Sequence, residues 1–198
     1  DYLLYENKPG LKEEAEDYDL GHSWRKNGDH YDITKKAKDT EPQILFVERC
    51  LQMLKDGGKL AIVLPETFFH APNSKYIMQY IQNGNNIKAV VDLPHNTFRP
   101  HNNAKTILLI LEKGRQQQDD IIMAVAEEMG HDHLGRVLFR YDEENNGFTN
   151  DVWDDTIFIR EELKDPYNTD NQYVFVVSNN QIIDNIFVPR YYWPKYEK

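Results

Sequence analysis

The chain has 198 residues, 40% of them hydrophobic and 28% charged. That is enough for one medium domain with an appendage and a packed core. No apolar run approaches the roughly eighteen residues of a membrane span, so no transmembrane helix and no membrane partner are expected. The formal net charge of −10 argues against unaided grip on a nucleic-acid backbone, which needs clustered cations.

The chain opens on Asp1 rather than Met and shows no secretory signal pattern, which suggests a piece of a longer protein or a processed product. Its single cysteine, Cys50, excludes an internal disulfide and fits a reducing cytoplasm. Cys50 lies in a helical pattern beside Leu51 and Leu54 and is expected in the core.

Residues 1–39 are polar, with an acidic run at Glu13, Glu14, Glu16, Asp17 and Asp19 and lysines at 35, 36 and 38. This segment reads as a long, partly mobile loop, its lysines as solvated. Order begins at Thr40-Glu41-Pro42-Gln43, where Thr40 is a candidate cap, Pro42 suits a first turn and Gln43 completes a capping box. Ile44, Val47, Leu51 and Leu54 come next at helical spacing, and Asp56-Gly57-Gly58 ends the helix.

Lys59 to Leu64 is a nearly continuous apolar run and reads as a strand buried on both faces. Asn73 is placed to cap a second helix through Tyr76, Ile77, Tyr80 and Ile81, ended by Gly84. Ile87 to Leu93 and Lys105 to Leu111 are two more buried strands. Strand, helix and strand form a parallel, right-handed βαβ unit, so residues 40–113 read as half of a doubly wound α/β sheet. Beyond a linker after Gly114, Asp120 to Ala126 is a further strand and Leu134 to Tyr141 is expected to pair back. Residues 142–150 read as a polar loop, Val152 to Leu163 as helix and Tyr173 to Val177 as strand.

Open α/β sheets bind ligands beyond the carboxyl ends of their parallel strands. Two loops leave such ends, Pro65 to His70 and Pro94 to Ala104. Both carry aromatics beside hydrogen-bonding groups, which suit stacking on a base and contact with base edges or phosphates. By composition alone Phe68, Phe69 and Phe98 read more readily as residues packed beneath their loops. His131-Asp132-His133 lacks obvious third and fourth metal ligands and reads as a solvated turn, so no metal site is expected. There is no phosphate loop, nucleophile elbow or cysteine pair. Tyr191, Tyr192 and Trp193 suit either a partner interface or docking on the chain's own core.

Gly57-Gly58, Val63-Leu64-Pro65, Leu93-Pro94 with Phe98, Lys105-Thr106 and Lys113 occur in an order that resembles the N-6 adenine DNA methylase family, in particular the modification subunits of type I restriction–modification systems. The match covers residues 41–114. The stretch IIMAVAEEMGHDHLG resembles the segment just past the catalytic domain in that family, and VPRYYWP the approach to a specificity region.

The resemblance implies the carboxyl-terminal half of a Rossmann-like, S-adenosylmethionine-dependent methyltransferase sheet with a mixed α/β extension. Its three strands would be the fifth, sixth and seventh, the last inserted antiparallel between the other two. Residues 1–39 would come after a catalytic motif, 40–114 would complete the methyltransferase domain, and 115–198 would extend toward a specificity region or partner subunit.

The implied activity is transfer of a methyl group from S-adenosylmethionine to adenine in DNA, with a specificity subunit or fused specificity domain, and a restriction subunit, as further partners. Phe98 matches the aromatic that stacks on the flipped adenine. Arg99, His101 and Asn102, in the same loop, are candidate DNA contacts. The family's glycine-rich cofactor motif and Asn-Pro-Pro-aromatic tetrapeptide do not occur in these 198 residues. No catalytic or cofactor-binding residue is therefore assigned, and the isolated chain is expected to be inactive. The competing reading is a non-catalytic scaffold that docks a specificity subunit.

Overall fold

The computed structural model describes residues 15–38, 40–114, 116 and 120–194. The elements in chain order are strands β1 (His22–Asn27) and β2 (His30–Ala37), helix α1 (Pro42–Met53), β3 (Lys59–Pro65), α2 (Lys75–Gln82), β4 (Asn85–Asp92), β5 (Thr106–Lys113) and β6 (Asp120–Val125). They continue with β7 (Phe139–Asp142), β8 (Gly147–Val152), α3 (Thr156–Glu162), β9 (Val174–Ser178) and α4 (Pro189–Tyr192).

Five strands form one sheet in the order β3-β5-β4-β6-β9. β5 runs antiparallel to both β3 and β4, β4 is parallel to β6, and β9 is antiparallel to β6. β5 thus inserts antiparallel between two mutually parallel strands, the arrangement the resemblance implied. The sheet runs on through β6 and β9, so residues beyond 115 extend it rather than form a separate layer.

The nearly unbroken apolar sequence of β4 is explained by its burial on both faces. β3 departs from the expected burial on both faces. Its Lys59, Ala61 and Val63 are exposed while Leu60, Ile62 and Leu64 point toward the core, so one face only is covered. The main core lies where α1 and α2 meet the sheet, around Val47, Leu51, Ile77, Ile81, Val90 and Leu109. A smaller core, around Val91, Ala124, Ile159 and Val174, seals α3 to the other face.

The two main helices start without the expected caps. Glu41 stands at the N-cap of α1 and makes no side-chain capping bond, while Thr40 Oγ1 donates instead to the Lys38 carbonyl at 3.2 Å. Ser74, not Asn73, holds that position on α2, again with no capping bond. Packing of the apolar faces against the sheet fixes these helices instead. Cys50 is half-buried on α1, at the margin of the core, and burial pushes its thiol up.

Residues 1–14 and 39 lie outside the described residues. The rest of the expected opening loop is ordered: β1 and β2 form an antiparallel hairpin turning at Gly28, whose φ is +60°. Few apolar side chains signal it, but three contacts fasten it. Trp24 stacks on Tyr76 at 5.7 Å between ring centroids. Gln79 and Tyr31 exchange two hydrogen bonds, with the Tyr31 N–H donating at 2.6 Å and Gln79 Nε2 donating back at 2.7 Å. The buried Glu48 carboxylate accepts the Asp19 and Leu20 N–H groups at 3.0 and 2.8 Å. Burial, with Glu48 close by, also pushes the Tyr80 hydroxyl well up.

Residues 142–150 are likewise not simply a loop. β7 and β8 pair antiparallel around the turn at 143–146 and stand as a two-stranded sheet of their own. The segment from Leu134 first pairs back on the turn after β6, through the His131–Val137 bridge and the Leu138 N–H donating to the Gly130 carbonyl, and from Phe139 it pairs forward to β8, not onto β6 itself.

Candidate functional site

The carboxyl ends of the parallel strands β3, β4 and β6 lie at one edge of the sheet. Beyond them opens a cavity of about 510 Å³. Glu66 enters it from the end of β3, Pro94, His95 and Asn96 from the end of β4, Glu127 and Glu128 from the end of β6, with Lys105 and Arg190 completing the wall.

A fully buried carboxylate anchors this edge. Asp92, the last residue of β4, accepts a hydrogen bond from Lys105 Nζ and another from Arg190 Nε at 3.2 Å. Lys105 also donates to the Leu93 carbonyl, and Arg190 to the Ala126 carbonyl at 3.1 Å. One aspartate thus ties the start of β5 and the short helix α4 to the end of β4. A second buried carboxylate, Asp155, accepts the Glu127 and Glu128 N–H groups at 3.0 and 2.9 Å. It holds the turn after β6 and fixes where those two acids point. Burial, with Asp155 and Glu127 adding to it, pushes the Glu128 carboxyl up against opposing effects of Asn96 and His131.

The Pro94–Ala104 loop is braced at its stem. Thr97 Oγ1 donates to the Pro94 carbonyl at 2.6 Å and lies 3.1 Å from Met129 Sδ. Asn96 Nδ2 donates to the His131 carbonyl and reaches Glu128 at 3.4 Å. The Arg99 N–H donates to the Asn96 carbonyl at 3.0 Å and that of Asn102 to the Phe98 carbonyl at 2.9 Å. Asn102 Oδ1 in turn accepts the Ala104 N–H at 2.7 Å.

The three phenylalanines that composition left open now separate. Phe68 and Phe69 are 4% and 0% exposed and pack beneath their loop, while Phe98 is 41% exposed at the tip of the braced one. His101 and Asn102 are exposed and Arg99 is half-buried; all four candidate residues lie in the loop whose first residues, Pro94 to Asn96, line the cavity, and none of the four lines it itself. Asp92, Arg190 and Glu128 are not singled out by the sequence, and Lys105 stands out only as part of the Lys105-Thr106 motif, without a role. Asp92 carries a signal as an acid closing an apolar strand; Arg190 reaches it from far along the chain.

His131 and His133 flank Asp132, whose carboxylate is taken up by Arg136 and by the Leu134 and Arg136 N–H groups. Among the described residues no group of three or more His, Cys, Asp or Glu is placed to hold a metal. No helix among them is long and apolar enough to cross a membrane. Of the terminal aromatics, Trp193 is buried and Tyr191 exposed.

A family model described as N-6 DNA Methylase matches residues 16–197. The chain belongs to the N-6 DNA methylase family. The match runs well past the ordered motifs at 41–114 and takes in both hairpins. The methylase subunit of the type I restriction enzyme EcoEI from Escherichia coli is 30% identical over 76 residues, 38% of this chain and 16% of that protein.

The type I restriction-modification methyltransferase subunit of Streptococcus thermophilus superposes with a TM-score of 0.53 at 23% identity, covering 80% of this chain and 31% of that one. A chain from a structure of type I restriction–modification complex assembly gives a TM-score of 0.52 at 17% identity, covering 80% and 32%. These likenesses establish the N-6 DNA methylase fold, of which the present chain spans about a third of each solved relative's length.

Proposed function

We propose that this chain forms the carboxyl-terminal part of the catalytic domain of an adenine-N6 DNA methyltransferase, the modification subunit of a type I restriction–modification system, and works in the cytoplasm. Residues 40–114 complete the methyltransferase domain, and 115–198 carry the chain toward a specificity subunit or fused specificity region. The observation that carries this reading is the exposed Phe98 on a braced loop at the carboxyl ends of the parallel strands, within a chain of this family. Methylation requires the target base to leave the duplex, and a flat aromatic surface then holds it. Phe98 supplies that surface, with Arg99, His101 and Asn102 as contacts to the surrounding DNA.

S-adenosylmethionine is the methyl donor of the parent enzyme. Its cradle is assigned to another part of the parent, because the family's glycine-rich cofactor motif does not occur in these 198 residues. The glycine turns that border the sheet, at Gly57, Gly84 and Gly114, gather at the opposite edge, where Gly114 N–H donates to the Gly84 carbonyl at 2.9 Å and Gly57 N–H to the Lys113 carbonyl at 2.8 Å.

Phe98→Ala in the parent enzyme tests the reading. Stacking of a base on an aromatic contributes about 1–3 kcal/mol, so methylation should fall about 5- to 150-fold. Phe98→Trp should retain it, and the melting temperature should hardly move, because the ring is exposed. Methylation by Phe98→Ala at the wild-type rate would remove the role assigned to this residue.

A further inference from the structure

The β7–β8 ribbon wears its apolar side outward. A half-exposed antiparallel ribbon ordinarily turns apolar residues to the protein and polar ones to water. Here Phe139 and Tyr141 alternate along β7, Val137 precedes them, Val152 and Phe148 lie across from Phe139 and Tyr141 in β8, and all five are exposed, Phe148 to 75%. Tyr141 and Phe148 meet edge to face at 5.3 Å. The inward side is the polar one. Arg140 reaches Asp155 at 3.5 Å and lies 4.8 Å from the Phe158 ring, and Thr149 Oγ1 donates to the Arg140 carbonyl at 3.1 Å.

The ribbon is nonetheless firmly held. The Gly130 N–H donates to the Trp153 carbonyl at 2.7 Å and the Trp153 N–H to the Leu138 carbonyl at 2.8 Å. Contiguous exposed apolar surface of this kind, on an ordered element, marks a contact surface.

Charge selects the kind of partner. Glu143 and Glu144 stand exposed in the turn that closes the ribbon, and Arg140, the one cation within the two strands, is turned inward. An acidic turn repels a phosphate backbone. It also repels a second copy of a chain whose net charge is −10. We infer that the outward face of the β7–β8 ribbon docks a protein surface with an apolar centre and a Lys/Arg rim, and that within the modification system proposed above this surface is on the specificity subunit. The inference rests on that proposal for the partner's identity and on the ribbon alone for the site.

The test uses the parent modification subunit and its cognate specificity subunit, with assembly measured by titration calorimetry. The double substitution Tyr141→Ser/Phe148→Ser removes the aromatic centre and should weaken assembly at least about 30-fold, as loss of a buried aromatic anchor does. Glu143→Lys/Glu144→Lys leaves the apolar side intact. It should also weaken assembly and reduce its dependence on salt.

Both variants should keep the wild-type melting temperature and S-adenosylmethionine affinity. Wild-type assembly by both folded variants, in a system that still methylates DNA, would overturn the ribbon assignment and leave the methyltransferase reading standing. The assignment also falls if the variants assemble normally but lose DNA affinity or dissolve a homodimer. Failure of the wild-type parent to bind the specificity subunit at all, or to methylate with it, would overturn the reading and the inference together.

Discussion

Asp92→Asn isolates what the buried carboxylate at the end of β4 contributes. The Asp92 side chain is 0% exposed, and its two cationic partners differ: the Lys105 side chain is 11% exposed and that of Arg190 31%. Lys105 is the desolvated partner, whereas water screens part of the Arg190 interaction. The amide keeps the shape of the carboxylate but strands a buried lysine, and breaking a buried pair in this way costs about 3–5 kcal/mol. Partial screening of Arg190 places the expected loss near the lower end, about 3–4 kcal/mol.

For a chain of this size each kcal/mol moves the midpoint by about 2–4 °C, so the melting temperature should fall by about 6–16 °C. Lys105→Met alone leaves the buried Asp92 carboxylate only its partly screened bond to Arg190 and should likewise cost about 3–4 kcal/mol. The double substitution Asp92→Asn/Lys105→Met should be more stable than Asp92→Asn, because it removes the stranded charge. Thermal and urea unfolding of the four proteins measures the cycle. A loss below about 1 kcal/mol for Asp92→Asn, or no recovery in the double substitution, would refute the assignment of Asp92 as the electrostatic anchor of this edge.

Glu48→Ala should release the turn at Asp19 and Leu20, costing about 2–4 kcal/mol as two backbone N–H groups lose a charged acceptor; faster amide exchange at those two residues is the readout. Glu128→Gln should stabilise the protein at neutral pH. Its carboxyl is raised above the ordinary 4.5, so its favourable contribution is full below that value and is lost as pH rises through the folded value. The variant should accordingly flatten the stability profile above pH 4.5, as measured by denaturation at a series of pH values. Gly21→Ala would place a Cβ 1.9 Å from the Ala15 carbonyl oxygen, so the segment before β1 must move; loss of the Trp24–Tyr76 stacking signal in near-UV circular dichroism would report it.

The central strands were legible because burial on both faces demands continuous apolar sequence, as in IKAVVDL and KTILLIL. The order of those strands was not readable from periodicity; the family resemblance supplied it. The two hairpins were missed for opposite reasons. β1 and β2 are held by Trp24, Tyr31 and backbone bonds to Glu48 and Gln79, none of which makes an apolar pattern in a segment of charges. β7 and β8 do alternate, but the turn acids between them masked it, and the alternation faces the opposite way from the usual one. The capping signals at Thr40, Gln43 and Asn73 failed because packing against the sheet set the helix starts. At the site, loop composition located the Phe98 loop, but the groups it is braced on, at residues 128, 129 and 131, and the Asp92–Lys105–Arg190 cluster at its base are brought together only by topology.

The insertion of β5 also sets the order in which this chain can fold. β3 and β4 share no ladder, and each bonds through β5 instead. A nascent chain that has emerged only as far as Ala104 therefore holds two strongly apolar strands with neither of these ladders. Sheet formation must wait for Thr106–Lys113, and β5 then satisfies both neighbours in one step. Non-local pairing of this kind carries a loop-closure cost before any ladder repays it. During synthesis, Leu60, Ile62 and Leu64, like the apolar face of α1 before them, lack the cover of the completed sheet until Thr106–Lys113 has emerged, which leaves the segment from α1 to β4 open to misassociation until then.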